Sequence, residues 1–305
     1  MDSPCIARWI QWRSGSEEKI ASRYTVGLSL DEYRMDWIQL FLEQYALFCL
    51  IGVVVGVLSG LLGIGGGIVL VPMLHAILMA KGFSGDMAFH VALATSMACI
   101  VFTSLSSIRA HHKNRNIVWP YVWAMVPMAF LGSLLATLVA IHLDAFYLTL
   151  FFATFILFAA IQLLLDRKPA PHKVPGKVEI SLVSLLIGGV SALVSIGGGT
   201  LTVPYLAMRN VSVKQAIGTS AVLGFPIALA STVSYLQDAM RQPVHAPDTF
   251  GLLYLPAILL VTPLSVLFAP AGVALTKRLP VKVLKRVFAV FLMGVGIKLL
   301  WSQLA

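Results

Sequence analysis

Two glycine runs interrupt apolar sequence without any charge nearby: Gly63-Ile64-Gly65-Gly66-Gly67 and Ser195-Ile196-Gly197-Gly198-Gly199. Consecutive glycines break helices, because they bring no side-chain packing and lose the most conformational freedom on folding. Helical sequence resumes at Ile68 and at Thr200. A helix start leaves N–H groups unpaired and carries partial positive charge. Glycine lets an anion approach those groups closely, so Gly65, Gly66, Gly67, Gly197, Gly198 and Gly199 read as an anion cradle made of backbone. The competing reading is that they only allow tight helix packing, as small residues do in membranes.

Hydroxyls form the second paired feature. Thr95-Ser96 and Thr219-Ser220 supply donors for an anion without adding charge, or they serve their own helices and neighbours. Thr200 and Thr202 stand where the first run has Ile68 and Leu70, so Thr200 would make a site asymmetric. His75 and His90 are the candidates for carrying a coupling proton, since histidine titrates near neutral pH and ionisable groups inside a membrane are functional by default. Arg109, His111, His112, Lys113 and Arg115 read as a basic loop that orients the chain, as do Arg209 and Lys214.

These residues need a bilayer around them. Of 305 residues, 58% are hydrophobic and 11% charged, with mean hydropathy +0.88. A soluble domain runs at about 45–50% apolar and about 25% charged. Disorder, which needs low hydrophobicity and high net charge, is excluded as well. Apolar segments recur at roughly 45–62, 66–80, 88–108, 118–141, 145–165, 179–195, 199–208, 216–236, 251–275 and 284–301. Several reach the length of about 20 residues that spans a bilayer. The expectation is an all-α polytopic membrane protein.

The glycine runs open an internal repeat. Ser59 to Gly67 aligns with Ser191 to Gly199 at an offset of 132, and Val71-Pro72 with Val203-Pro204 at the same offset. Thr95-Ser96 matches Thr219-Ser220 at 124, and Pro127, Leu143 and Ile161 match Pro263, Leu279 and Ile297 at 136. Each unit is expected to hold a Gly-broken helical hairpin plus three transmembrane helices. The organisation is then a polar N-terminal arm at 1–44, a first repeat at 45–165, a basic linker at 166–178 and a second repeat at 179–302. If the breaks are hairpin turns, three net crossings per unit make the units inverted; if they are kinks, there are eight spans. The hairpin arrangement puts fourteen loop lysines and arginines on one side against four on the other, counting the arm only from Arg34, which the positive-inside rule favours.

Inverted repeats with broken helices are a signature of secondary transporters with a midplane site. No GxSxG, HExxH, Walker A or intramembrane carboxylate pair occurs, so no catalytic residues and no enzyme activity are expected, and a transporter would run on gradients. Cys5, Cys49 and Cys99 form no metal or disulfide pattern. No metal site, cofactor or nucleic-acid footprint is expected.

The twin stretches from Gly60 to Pro72 and from Ser195 to Pro204, together with the Thr95-Ser96 and Thr219-Ser220 matches, resemble the sulfite exporter TauE/SafE family over about residues 45–302. Ser195 departs from the first copy's Gly63. The resemblance implies an inner-membrane, multi-pass permease, generally an exporter, for small sulfur-containing anions such as sulfite or organosulfonates. Its partners would be the bilayer, the anion and a coupling proton. An anion channel or a membrane scaffold for sulfur handling are the alternatives.

Overall fold

The computed structural model describes residues 30–63, 65–165, 176–241, 246, 248–275 and 281–304, with 30–44, Leu62, 281–288 and 302–304 described by backbone alone. The residues Cys5, 1–29 of the arm and 166–175 of the linker lie outside that description.

Ten helices are described: α1 (Leu30–Leu62), α2 (Gly67–Ala80), α3 (Gly85–Lys113), α4 (Trp119–Ala140), α5 (Ala145–Leu165), α6 (Lys177–Leu193), α7 (Gly199–Met208), α8 (Val213–Arg241), α9 (Leu255–Leu275) and α10 (Val281–Leu304). Two short strands, β1 (Thr249–Phe250) and β2 (Leu253–Tyr254), form an antiparallel ribbon before α9. Local chemistry sets the ends. Ser84 caps α3 by accepting the Met87 N–H, with Asp86 in the first turn and His111, His112 and Lys113 in the last, which suits the helix dipole. The helices do not coincide with the apolar runs. Helix α1 begins at Leu30, inside the arm. α3 and α8 are longer at both ends than their apolar runs, and the ribbon occupies the start of the run at 251–275.

Five helices, α3, α4, α5, α8 and α9, are long and apolar enough to cross a membrane. Trp123, Leu259, Leu267 and Trp301 are 69–74% exposed, which an aqueous surface would disfavour and a hydrocarbon environment accepts.

The broken segments are hairpins. The Lys81 ammonium lies 6.0 Å from the Tyr45 ring and 5.8 Å from that of Tyr254, so the chain leaves α2 beside the place where apolar α1 begins. The second hairpin closes the same way, with Arg209 after α7 ion-paired to Glu179 in the first turn of α6. The reading of each glycine run as a mere kink is overturned by these contacts. Burial lowers the Lys81 ammonium from its ordinary value, and the Asp248 carboxylate opposes that shift.

Close backbone approach orients the bundle. A Cβ on Gly52 would meet Val261 and Leu264, one on Gly56 would meet Ser265, and one on Gly60 would meet Ala269. The positions rise together, so α1 and α9 run in one direction. Helix α3 follows them: Thr103 Oγ1 lies 2.6 Å from Ser265 Oγ, and Ser106 Oγ donates to the Val266 carbonyl at 2.7 Å. Helices α4 and α8 run together too, through Val118 with Thr219 and Ser133 with Ser231. They oppose α3, whose end meets the start of α8 at Asn116 and Gly218, while Ala94 and Ala98 cluster with Tyr235. The two hairpins therefore enter from opposite ends. The first enters beside Lys81. The second enters at the basic end, beside Lys113, Arg115 and Lys214. Gly188 on α6 packs on the Ala129 carbonyl of α4, which is the small-residue packing that membranes favour.

If the first segment is a hairpin, Tyr45→Cys and Lys81→Cys in a chain whose native cysteines are replaced by alanine will be joined by a short bismaleimide. A chain crossing the membrane between these positions would give no cross-link.

Candidate functional site

The tips of the two hairpins meet in the middle of the bundle. A Cβ on Gly65 would lie 2.9 Å from the Gly197 Cα, and one on Gly67 would lie 1.7 Å from the Ser195 carbonyl oxygen. No side chain fits at either place. Gly66 and Gly198, which precede α2 and α7, both take the left-handed conformation, with φ of 79° and 75°. That conformation costs an ordinary residue about 1–2 kcal/mol. It turns successive N–H groups the same way, making a concave set of donors.

All six glycines of the two triplets are buried. Among the described residues, no acceptor takes the N–H of Gly65, Gly66, Gly67, Gly197, Gly198 or Gly199. Buried N–H groups without a partner are rare in folded proteins. Here six are gathered where the starts of α2 and α7 each add about half a positive charge. The arrangement suits a small anion with several acceptor oxygens.

Hydrogen bonds fasten each tip to a long helix, the first to α8 and the second to α3. The hydroxyl of Ser220 donates to the Ile217 carbonyl at 2.8 Å and to that of Gly63 at 3.3 Å. On the opposite side Ser195, with φ of 47°, donates to the Leu93 carbonyl at 2.8 Å. Ser195 thus adds a side-chain tie at the second tip, which Gly63 has no side chain to make at the first.

The other expected residues are placed as follows. Thr95 and Thr219 are buried, and each accepts a backbone N–H: Thr95 from Tyr254 at 2.9 Å, Thr219 from Val118 at 3.0 Å. Each therefore pins the start of a long helix, α9 or α4. The hydroxyls of Ser96 and Thr202 are buried without a partner, while Thr200 stands in the first turn of α7. His75 lies edge-on to Phe89 between α2 and α3, with 5.6 Å between ring centres. Both ring nitrogens of His90 face backbone carbonyls, those of Asp86 and Leu143. The structure brings the two glycine triplets together, sets Ser220 against Gly63 next to the first of them, and leaves both histidines on outlying contacts.

Three serines and a histidine escaped the sequence reading. A narrow crevice runs from Gly65 and Gly197 past Ser59, Ser104, Ser107, Ala221 and Gly224, with no space large enough for a water molecule. His111, assigned to the basic loop, is 1% exposed, and its Nε2 lies 3.2 Å from the Gly60 carbonyl of α1. The available signal was its spacing of four from Ser107, which puts both on one helix face.

Hairpins that carry unpaired amides into the middle of an apolar bundle define a multi-pass membrane protein. The chain belongs to the sulfite exporter TauE/SafE family, whose profile matches residues 48–299. A "probable membrane transporter protein" of Haemophilus influenzae is 35% identical over 258 residues, covering 84% of this chain and 98% of the relative. One from Methanocaldococcus jannaschii is 28% identical over 201 residues, covering 64% and 74%, and the YunE protein of Bacillus subtilis is 23% identical over 281 residues, covering 85% and 98%. No solved structure matches.

Replacing Gly67 by alanine will destabilise the protein by about 3 kcal/mol or more, at the upper end of overpacking costs, because the Ser195 backbone must move. Gly294→Ala, where an added Cβ meets nothing within 4 Å, will leave the melting temperature within a few degrees. Thermal unfolding in detergent compares them, and equal stability of the two would refute the tip contact.

Proposed function

We propose that this membrane protein is a gradient-driven transporter, working as an exporter, for small sulfur-containing anions such as sulfite or organosulfonates. The turns part from their contact to admit the anion, which the amides of Gly65, Gly66, Gly67, Gly197, Gly198 and Gly199 then hold. Ser96 and Thr200 add hydroxyls at its rim, Ser220 ties the first turn through the Gly63 carbonyl, and Thr95 and Thr219 hold the helices that frame it. The observation that carries this reading is the set of six buried N–H groups without acceptors at the contact of two helix starts. The sulfur rests on the family; the amides themselves would suit any compact oxyanion.

Two inverted repeats, 45–165 and 179–302, joined by the linker at 166–178, would supply the movement. Their support is the exchange of contacts between halves: Thr95 takes the Tyr254 N–H as Thr219 takes that of Val118, and Gly56 meets Ser265 as Gly188 meets Ala129. Each pair maps onto the other by the sequence offsets. Two such halves can rock against each other and expose the turns alternately. The basic end is then cytoplasmic. No coupling group stands at the turns among the described residues; His75 and His90 would act at a distance from them.

The test is melting temperature in detergent against sulfite, thiosulfate, sulfate, taurine, sulfoacetate, acetate and chloride, followed by flux in proteoliposomes. A ligand at 100 times its Kd stabilises the folded state by about 2.7 kcal/mol. One or two sulfur anions will raise the melting temperature and will be transported. Gly198→Ala will lose both effects while staying folded: the left-handed backbone costs alanine about 1–2 kcal/mol, and the added methyl meets only side-chain ends, those of Ile227, Thr202 and Ile187 at 3.0, 3.6 and 3.7 Å. Equal response to every anion, or a Gly198→Ala protein that behaves as the parent, would contradict the cradle.

A further inference from the structure

The crevice beside the twin turns is bounded by Ser59, Ser104, Ser107, Ala221 and Gly224. It starts at Gly65 and Gly197 and follows α3 past Ser104 and Ser107 toward the basic end. Its opposite wall is Ala221 and Gly224 of α8. At the offset of 124 that relates Thr95 to Thr219, these two match Met97 and Ile100. The matching side of the turns is accordingly filled: Met97 and Ile100 are fully buried, and Ile100 Cγ2 would lie 3.2 Å from a Cβ on Gly65. Small residues in one half against large residues in the other thus open one flank of the turns and shut the other.

Small residues alone would only be packing, but the crevice also has polar side chains that packing does not use. Ser107 is 1% exposed and its hydroxyl has no partner. One turn further along the same face, His111 is held through Nε2 by the Gly60 carbonyl and leaves Nδ1 without a partner. A buried hydroxyl or ring nitrogen with no partner is costly. Both stand on the line from the turns to the exposed cations Lys113 and Arg115.

We propose that this crevice is the part of the anion's path that joins the turns to the basic end. Ser107 is its hydroxyl contact for a small oxyanion, and Ala221 and Gly224 set its width. The inference rests on the anion-cradle reading and adds a direction and a size limit to it. The path is shut to water as it stands, so the wall formed by α8 separates from α3 when the site opens toward the basic end. The opposite flank needs Met97 and Ile100 to move away from the turns, so the two openings are unequal.

The experiment uses the full chain in proteoliposomes, with sulfite as the probe. Flux and sulfite-dependent melting temperature are read on the parent, Ser107→Ala and Ala221→Met. Ser107→Ala removes a group that has no partner, so it will fold as the parent does. Its flux at low sulfite will fall about tenfold or more, the loss expected for one hydrogen bond to a charged group. Sulfite will still raise its melting temperature. Ala221→Met, which places in this wall the residue of the other half, will abolish flux with the sulfite-dependent shift retained. If Ala221→Met does not fold, Ser107→Ala decides the matter alone. Parent-like flux in every variant that folds would overturn the path and leave the cradle standing. A parent protein that neither binds nor moves sulfite would overturn the cradle, and the path with it.

Discussion

Two glycine turns occupy the centre of this protein in direct backbone contact, and the rest of the bundle is arranged to allow it. Gly65 against Gly197 and Gly67 against the Ser195 carbonyl leave no volume for a Cβ. Contact this close brings together two helix starts of like partial charge in a medium of low polarity. Their mutual repulsion and their unpaired amides both oppose it. Ties from the surrounding helices offset the cost, through Ser220 to Gly63 on one side and Ser195 to Leu93 on the other.

The long helices extend the same logic outward. Glycine and alanine on α1, α4, α6 and α9 bring backbones close, where lipid supplies no hydrophobic drive between helices. Threonine hydroxyls at Thr95 and Thr219 satisfy N–H groups next to the starts of α9 and α4, groups that water would serve in a soluble protein. The end contacts differ in kind. The first hairpin is closed by a lysine over two tyrosine rings and the second by an Arg209–Glu179 ion pair. Movement about the turns would load these unlike clasps unequally.

Much of this was legible because glycine runs without charges have few uses inside an apolar segment. Gly63 to Gly67 and Ser195 to Gly199 announced the hairpins, and the charge of the loops favoured turns over kinks. The direction of each hydroxyl was not legible. A threonine at a given place does not say that it accepts an N–H from a residue about 100 or 160 positions away. The ribbon at 249–254 was missed because Phe250, Leu252, Leu253 and Tyr254 resemble the start of a span. The burial of His111 is not legible beside its charged neighbours, since it depends on the Gly60 carbonyl from a distant helix. The crevice has a signal in residue size: Ala221 and Gly224 stand 124 positions after Met97 and Ile100, small residues against large ones.

The most direct measurement is the position of a bound oxyanion. Selenite, a heavier analogue of sulfite, can be located by anomalous scattering in crystals of the full chain. A single selenium peak within hydrogen-bond reach of the amides of Gly66, Gly67, Gly198 and Gly199 is the result expected here. Occupied selenite sites elsewhere in the bundle, with the turns still in contact and empty, would contradict the account.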